Sequence, residues 1–225
     1  MRKENSAFNS NFLSERGTYA LHNNDYYGFY ELEEFARYVI ADGLLPGDNK
    51  HLDFSAVKAV EAVISAFIEN PSIRSKALKR YLERANEELK NDKSKRVSRA
   101  SVMVVVTDYK SLRYAHAGNC KFNLYRSGRL VTESKDHSLS RELADDKKIQ
   151  KDKVARHEER NNLTMYCGIK KSFMPYVSSK MKLRDADVFS VFTKGIWENA
   201  NTNDMLASVQ SAENVPKEAS IIWNV

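Results

Sequence analysis

The stretch Asp187-Val-Phe-Ser-Val-Phe-Thr193-Lys194-Gly195-Ile196-Trp197-Glu198 decides how the chain reads. Its first half is a short run of β-branched and aromatic residues, the composition of a buried strand. Thr193-Lys194-Gly195 ends that run, and Trp197-Glu198 sets an acid just beyond it. Three other segments are built in the same way: Gly17-Thr-Tyr-Ala-Leu-His-Asn-Asn-Asp25, Val39-Ile-Ala-Asp42-Gly43, and Leu112-Arg-Tyr-Ala-His-Ala-Gly118-Asn119-Cys120. An acid followed by Gly at a strand end offers a carboxylate and a carbonyl to a hard cation such as Mg²⁺ or Mn²⁺. Asp-Gly is equally a common turn dipeptide, so each segment alone decides little.

Outward from these segments the periodicity alternates between strand and helix. Asn9–Glu15, Tyr26–Glu31 and Phe35–Ala41 read as strands. From Asp53 to Glu69 the apolar residues Phe54, Val57, Val60, Ile64, Phe67 and Ile68 form one helical stripe, with Asp53 or Ser55 as N-cap and Pro71 as the stop. A second helix runs from about Ser72 to Lys90. Short strands follow at Ser101–Thr107, Leu112–Ala117, Lys121–Arg126 and Arg129–Ser134, with Ser127-Gly128 as a hairpin turn. The polar region Ser138–Asn162 reads as helical or mobile, and its charged run Arg141–Arg160 as a solvated face. Strands return at Tyr176–Lys182 and Val188–Phe192, then a helix near Thr202–Ala212 and a last strand at Ala219–Trp223. Helices set between β runs predict an α+β fold, layered around antiparallel sheets, with residues 1–225 as a single domain.

Composition narrows the function classes. The chain has 225 residues, with 36 Lys+Arg against 30 Asp+Glu, a formal charge of +6. Its 42% hydrophobic and 29% charged residues are those of an ordinary globular protein. Cys120 and Cys167 have no metal-ligand spacing and cannot form a disulfide framework. No apolar run approaches the roughly 20 residues of a membrane span, and no signal-peptide core follows the N-terminus, so a cytoplasmic protein is expected. HExxH, P-loop, GxSxG and zinc spacings are absent. The basic excess lacks an aromatic-basic motif, so no nucleic-acid partner is expected.

Taken in order, the segments resemble the PPM family, the metal-dependent type 2C Ser/Thr protein phosphatases. The matching pieces are Gly17…Asn23-Asn24-Asp25, Ala41-Asp42-Gly43, Ala85-Asn86-Glu87-Glu88-Leu89, His116-Ala117-Gly118-Asn119-Cys120, Lys135-Asp136-His137-Ser138, Thr193-Lys194-Gly195-Ile196-Trp197-Glu198 and Lys217-Glu218-Ala219-Ser220-Ile221. They cover nearly the whole chain in the family's order, as in a divergent bacterial-type member. The resemblance implies a four-layer αββα sandwich of two antiparallel sheets flanked by helices. It also implies a mechanism in which acids hold Mg²⁺ or Mn²⁺ ions whose bridging water attacks a phosphoryl group. Within it, Asp42 matches the metal-bridging acid, Gly43 the metal-binding carbonyl, and Asp25 an acid that orders metal-bound water.

At the other critical positions the chain departs from the pattern. The acid of the Ser-Asp-Gly segment falls on Lys194. The closing Asp-Asn pair falls on Lys217 and Glu218, the Gly-Asp-Ser acid on Asn119, and the phosphate-binding Arg on Ala20. The Gly-rich stretch after Asp-Gly becomes Leu44-Leu45-Pro46-Gly47. Two unit charges about 4 Å apart interact by roughly 4 kcal/mol at an effective dielectric near 20. Two lysines in place of two carboxylates would therefore repel a divalent ion, and a protonated lysine is no ligand. The expectation is a degraded metal centre with Lys194 in the metal's place, paired with Asp42. It holds no cofactor, or at most one Mg²⁺ or Mn²⁺ ion at Asp42 and Gly43. The resemblance then implies a pseudophosphatase or regulatory module that binds a phosphoprotein or a Ser/Thr kinase. The alternative is a divergent phosphatase acting on phospho-Ser/Thr with fewer metal ions.

Overall fold

The computed structural model describes residues 9–16, 21–44, 53–93, 98–200, 204–207 and 219–224. In chain order the elements are β1 (Asn9–Ser14), β2 (Asp25–Glu31), β3 (Ala36–Gly43), α1 (Ser55–Glu69), α2 (Ser75–Lys90), β4 (Ala100–Thr107), β5 (Ser111–Ala117), β6 (Lys121–Arg126), β7 (Arg129–Glu133), α3 (Leu139–Asp145), 3-10 turns at Lys151–Arg156 and Glu158–Asn161, β8 (Tyr176–Val177), β9 (Met181–Lys182), β10 (Val188–Phe192), α4 (Lys194–Trp197) and β11 (Ala219–Asn224). Sheet I has the order β2-β3-β4-β5, with β8 and β9 both on the outer side of β5. Sheet II has the order β1-β11-β10-β6-β7.

Sheet I is covered on both faces, which is why β4, Ala-Ser-Val-Met-Val-Val-Val-Thr, is buried at every position. On one face Val39, Ala41, Val102, Val104, Ala115 and Ala117 meet α1 and α2. On the other, Tyr38, Ile40, Met103, Val105 and Tyr114 meet Phe122, Leu124, Phe189 and Val191 of sheet II. The helix α1 forms as expected but its buried stripe is rotated from the one read: Val60 and Phe67 are buried with Ala56, Ala59, Val63 and Ala66, while Phe54 and Ile68 are exposed. The helix passes so close over β2 that a Cβ on Gly28 would lie 2.7 Å from Ile64 Cδ1. Tyr81 of α2 fastens the link between the helices, donating to Asn70 O at 2.6 Å and accepting from Ser72 N at 3.0 Å. On the far side of sheet II, Asn123, Tyr125 and Ser190 are also buried. Met205, in the helical turn at 204–207, joins Phe192 and Trp197 in a small third cluster. The rest of the helix expected near Thr202–Ala212 lies outside the described residues.

Two other local features differ from the sequence reading. Sheet II is mixed: β11 runs parallel to both β1 and β10, so the chain crosses back between Phe192 and Ala219. The strand expected over Tyr176–Lys182 is two short pieces, because Ser178 turns its hydroxyl to the ladder and accepts Tyr114 N–H at 3.0 Å. The region Ser138–Asn162 folds into α3 and the two 3-10 turns. The Ser127-Gly128 hairpin is as expected, with φ of 49° and 71°, the pair of left-handed conformations that a type I′ turn requires.

Candidate functional site

Antiparallel pairing of β2 with β3 sets Asp25 directly opposite Asp42, and β4 sets Ser101 opposite Asp42 on its other side. The segment entering β2 is shaped by its asparagines. Asn23 Oδ1 accepts Asp25 N–H at 3.1 Å, and Asn24 O accepts Gly43 N–H at 3.0 Å. The two carboxyls are close enough across the pairing for each to act on the other's titration. Burial, and after it the charge of Asp42, raises the Asp25 carboxyl above the usual carboxylate range, while Thr193 pulls it back. Burial also raises Asp42, opposed first by the charge of Lys194. Thr193, at the end of β10, donates its hydroxyl to Asp25 Oδ2 at 2.8 Å and ties the two sheets together at this point.

A third carboxylate stands beside them that the sequence reading treated only as a helix cap. Asp53 donates its N–H to Asn24 Oδ1 at 3.0 Å, and its Oδ1 accepts Ser55 N–H at 2.9 Å and Ser55 Oγ–H at 2.7 Å. Its other oxygen, Oδ2, is buried with no hydrogen-bond partner among the described residues. A Cβ on Gly43 would lie 2.8 Å from that oxygen, so glycine at 43 is what lets Asp53 approach. Only Asp-x-Ser ahead of a helix signals Asp53 in sequence, and that pattern is the ordinary one for a cap.

Lys194 does not make the expected pair with Asp42. Its Nζ donates to Asn161 Oδ1 at 2.6 Å and lies 3.7 Å from Glu198 Oε2, one turn along α4. It acts on Asp42 through space alone. The cause is local: Glu198 is on the same helical face, and its oxygens also face Arg160 Nε at 3.5 Å. The 3-10 turn Glu158–Asn161 is thereby clamped to α4 by two cation contacts, so this end of the charged run is not a solvated face. Its other end, Arg141, is taken up as well, with Nε 3.0 Å from the buried Asp136.

Asn119 is built into the scaffold. Its N–H donates to Ser101 Oγ at 2.8 Å, its carbonyl accepts the Trp197 indole N–H at 2.7 Å, and its buried Oδ1 finds no partner among the described residues. Ser101 reaches this turn because Gly118 precedes it, at φ 118° with space for no side chain. His116 packs as expected, its ring stacked on His137 at 4.4 Å. Arg99 was not singled out from sequence. Its carbonyl accepts Leu44 N–H at 2.9 Å, which carries the β3–β4 ladder past Gly43. Its guanidinium lies over the Tyr166 ring, 5.2 Å from the centroid, with no ion pair to a described residue. Ala20, Lys217 and Glu218 lie outside the described residues.

Among the described residues, no three His, Cys, Asp or Glu side chains converge as a metal cage would require. Two facing carboxyls with the Lys194 ammonium acting on one of them are a poor donor set for a divalent ion, which needs several oxygens around it. What the arrangement offers is two facing buried acids, a third acid at Asp53 beside Gly43, the cation Lys194 and, through Glu198, Arg160.

No protein-family model matches the sequence, and no curated protein does either. Solved structures do. A bacterial serine phosphatase superposes with a TM-score of 0.74 at 17% identity, over 88% of this chain and 82% of its own. The serine/threonine phosphatase PstP/Ppp of Mycobacterium tuberculosis gives 0.70 at 18%, over 88% and 83%. The catalytic domain of PstP in complex with two manganese ions gives 0.68 at 17%, over 88% and 82%. The fold is that of the PPM phosphatases. The PPM fold accounts for the meeting of Asp25, Asp42 and Thr193 at one end of the two sheets. At such low identity it says nothing of what this chain does with them.

Proposed function

We propose that the chain is a PPM-type relative with a degraded metal centre, which binds a phosphorylated Ser or Thr of a partner protein and turns it over slowly or not at all. The observation that carries this reading is Lys194, where the resemblance puts a metal-ligand acid: its ammonium is held by Asn161 and Glu198, near enough to act on Asp42. A fixed cation there opposes the charge that a divalent ion would bring. Arg99 supports the binding half of the proposal. A half-buried guanidinium, steadied by an aromatic ring and without an ion pair to a described residue, suits a phosphate monoester. The test is titration of the protein with a phosphoserine peptide and its unphosphorylated twin, together with aryl phosphate hydrolysis in Mn²⁺. Preferential binding of the phosphopeptide is expected, weakened about tenfold or more in Arg99→Gln by loss of a charge-assisted pair, with no Mn²⁺-dependent turnover. Robust turnover abolished by Asp42→Ala would overturn it.

One observation favours a second reading, an active enzyme with fewer ions. The buried, unpartnered Asp53 Oδ2 beside Gly43 is a free carboxylate oxygen at the point where the PPM resemblance puts a metal-binding carbonyl. Calorimetry with Mn²⁺ separates the two readings: the second requires saturable binding that Asp53→Asn removes.

A further inference from the structure

Between Glu159 and Asp185 the chain has no acidic residue, yet it carries Arg160, Lys170, Lys171, Lys180, Lys182 and Arg184. Arg160 is engaged with Glu198, and Lys180 pairs with Asp108 at 3.0 Å. Lys170, Lys171, Lys182 and Arg184 are exposed and make no ion pair with a described residue. Its later part, from β8 to Leu183, runs along the outer edge of sheet I, while Lys170 and Lys171 follow the turn that Asn86 of α2 holds at Gly168 and Ile169. There β8 lies against Ala115 and His116, β9 lies against Ser111 and Leu112, and Leu183 N–H donates to Lys110 O at the β4–β5 turn. Lys110 is exposed there too. In the loop that leads into β8, Met174 is 67% exposed, more than any other large hydrophobic side chain among the described residues. Tyr176 beside it is 47% exposed.

An open sheet edge commonly carries lysine and proline, because they stop it from pairing with another chain. Lys180 and Lys182 answer to that need. Lys170 and Lys171 do not, since they precede the ladder, and neither does a bare methionine three residues on. A row of unpaired cations with an apolar tip has the composition of a surface that rests on lipid headgroups. Nucleic acid would take up the charge but leave Met174 in water. An acidic protein would need a matching apolar socket.

We propose that this edge docks on an anionic phospholipid surface, with Lys170, Lys171, Lys182 and Arg184 over the headgroups and Met174 and Tyr176 entering the interface. The proposal is independent of the reading given to the acid site, which lies across β4 and β3 in the same sheet. No helix among the described residues is long and apolar enough to cross a membrane, so the contact is peripheral.

The test is co-sedimentation of the full chain with phosphatidylcholine vesicles, with and without about a third of phosphatidylserine. Binding is expected only with phosphatidylserine, and it should fall as salt is raised. The double variant Lys170→Glu, Lys171→Glu should lose about tenfold or more while keeping the wild-type melting temperature, since both residues are exposed. Met174→Ser should weaken binding without changing its salt dependence. Absence of binding to phosphatidylserine vesicles overturns the proposal, as does binding unaltered by the charge reversal. Retention on duplex DNA or polyglutamate by a protein that ignores the vesicles also overturns it. Indifference to Met174→Ser removes the insertion step.

Discussion

Arg37 lies in β3 with no exposed surface, its guanidinium 5.4 Å from the centre of the Phe67 ring and none of its three nitrogens hydrogen-bonded to a described residue. Burial lowers it to about 9, still charged at neutral pH. A buried cation with only an aromatic face for company costs more than its packing returns. Arg37→Met keeps the length and apolar contact and should stabilise the fold by about 1–3 kcal/mol, read from urea midpoints. At the other end of β3, the Asp25–Asp42 pair makes stability depend on pH. Both carboxyls take up protons more readily in the folded chain than in the unfolded one. Their contribution is therefore whole below the ordinary Asp range and is lost as pH rises through the raised folded values. Wild type should weaken from about pH 4, where an unfolded Asp begins to ionise, to about pH 9, each unit of raised proton affinity counting about 1.4 kcal/mol. Asp25→Asn carries a permanent N–H toward Asp42 and still accepts from Thr193, so it should flatten that slope.

Among the elements, one side chain of α2 anchors the middle of the link from residue 162 to β8, next to the bridge between Ala100 and Cys167. The buried Asn86 Oδ1 accepts the N–H groups of both Gly168 and Ile169, at 2.9 and 3.1 Å. Asn86→Ala leaves two inward N–H groups without an acceptor, at about 1–3 kcal/mol, and should speed proteolysis within residues 162–175, read by mass spectrometry. Asn86 also shows where sequence is legible and where it is not. The two helices, the buried β4 and the Ser127-Gly128 turn were all readable, because their signals are periodic or confined to neighbours. The meeting of Asp25 with Asp42 followed from the family resemblance and the β2–β3 pairing. The partner of Lys194 did not follow, since Asn161 comes from a 3-10 turn with no periodicity and Glu198 competes from the lysine's own helix. Asp53 was equally out of reach. Its approach depends on the missing side chain of Gly43 and on Asn24, both distant in sequence. The mixed order of sheet II was hidden too, because a short apolar strand reads the same in either direction.

Across the whole molecule, two apolar layers share sheet I, one against α1 and α2 and one against sheet II. Sheet II depends on its last strand. With β11 gone, β1 loses its neighbour among the described strands and β10 keeps β6. A chain truncated after residue 218 should therefore lose the packing of sheet II while keeping helical signal from α1 and α2. Near-ultraviolet circular dichroism should collapse further than far-ultraviolet, as in a compact state without fixed side chains.

The position of β11 between β1 and β10 also bears on how the protein is made. A ribosome delivers β1 before every other strand of sheet II and β11 after them, so β1 must wait for the strand that pairs with it until the others are made. Until then that side of β1 is open, and among the described residues Phe12 stacks on Tyr27 and Phe29 of the other sheet. Long-range closure of this kind is slow. The nascent chain can assemble sheet I with its helices early, but sheet II is completed only after β11 has left the exit tunnel.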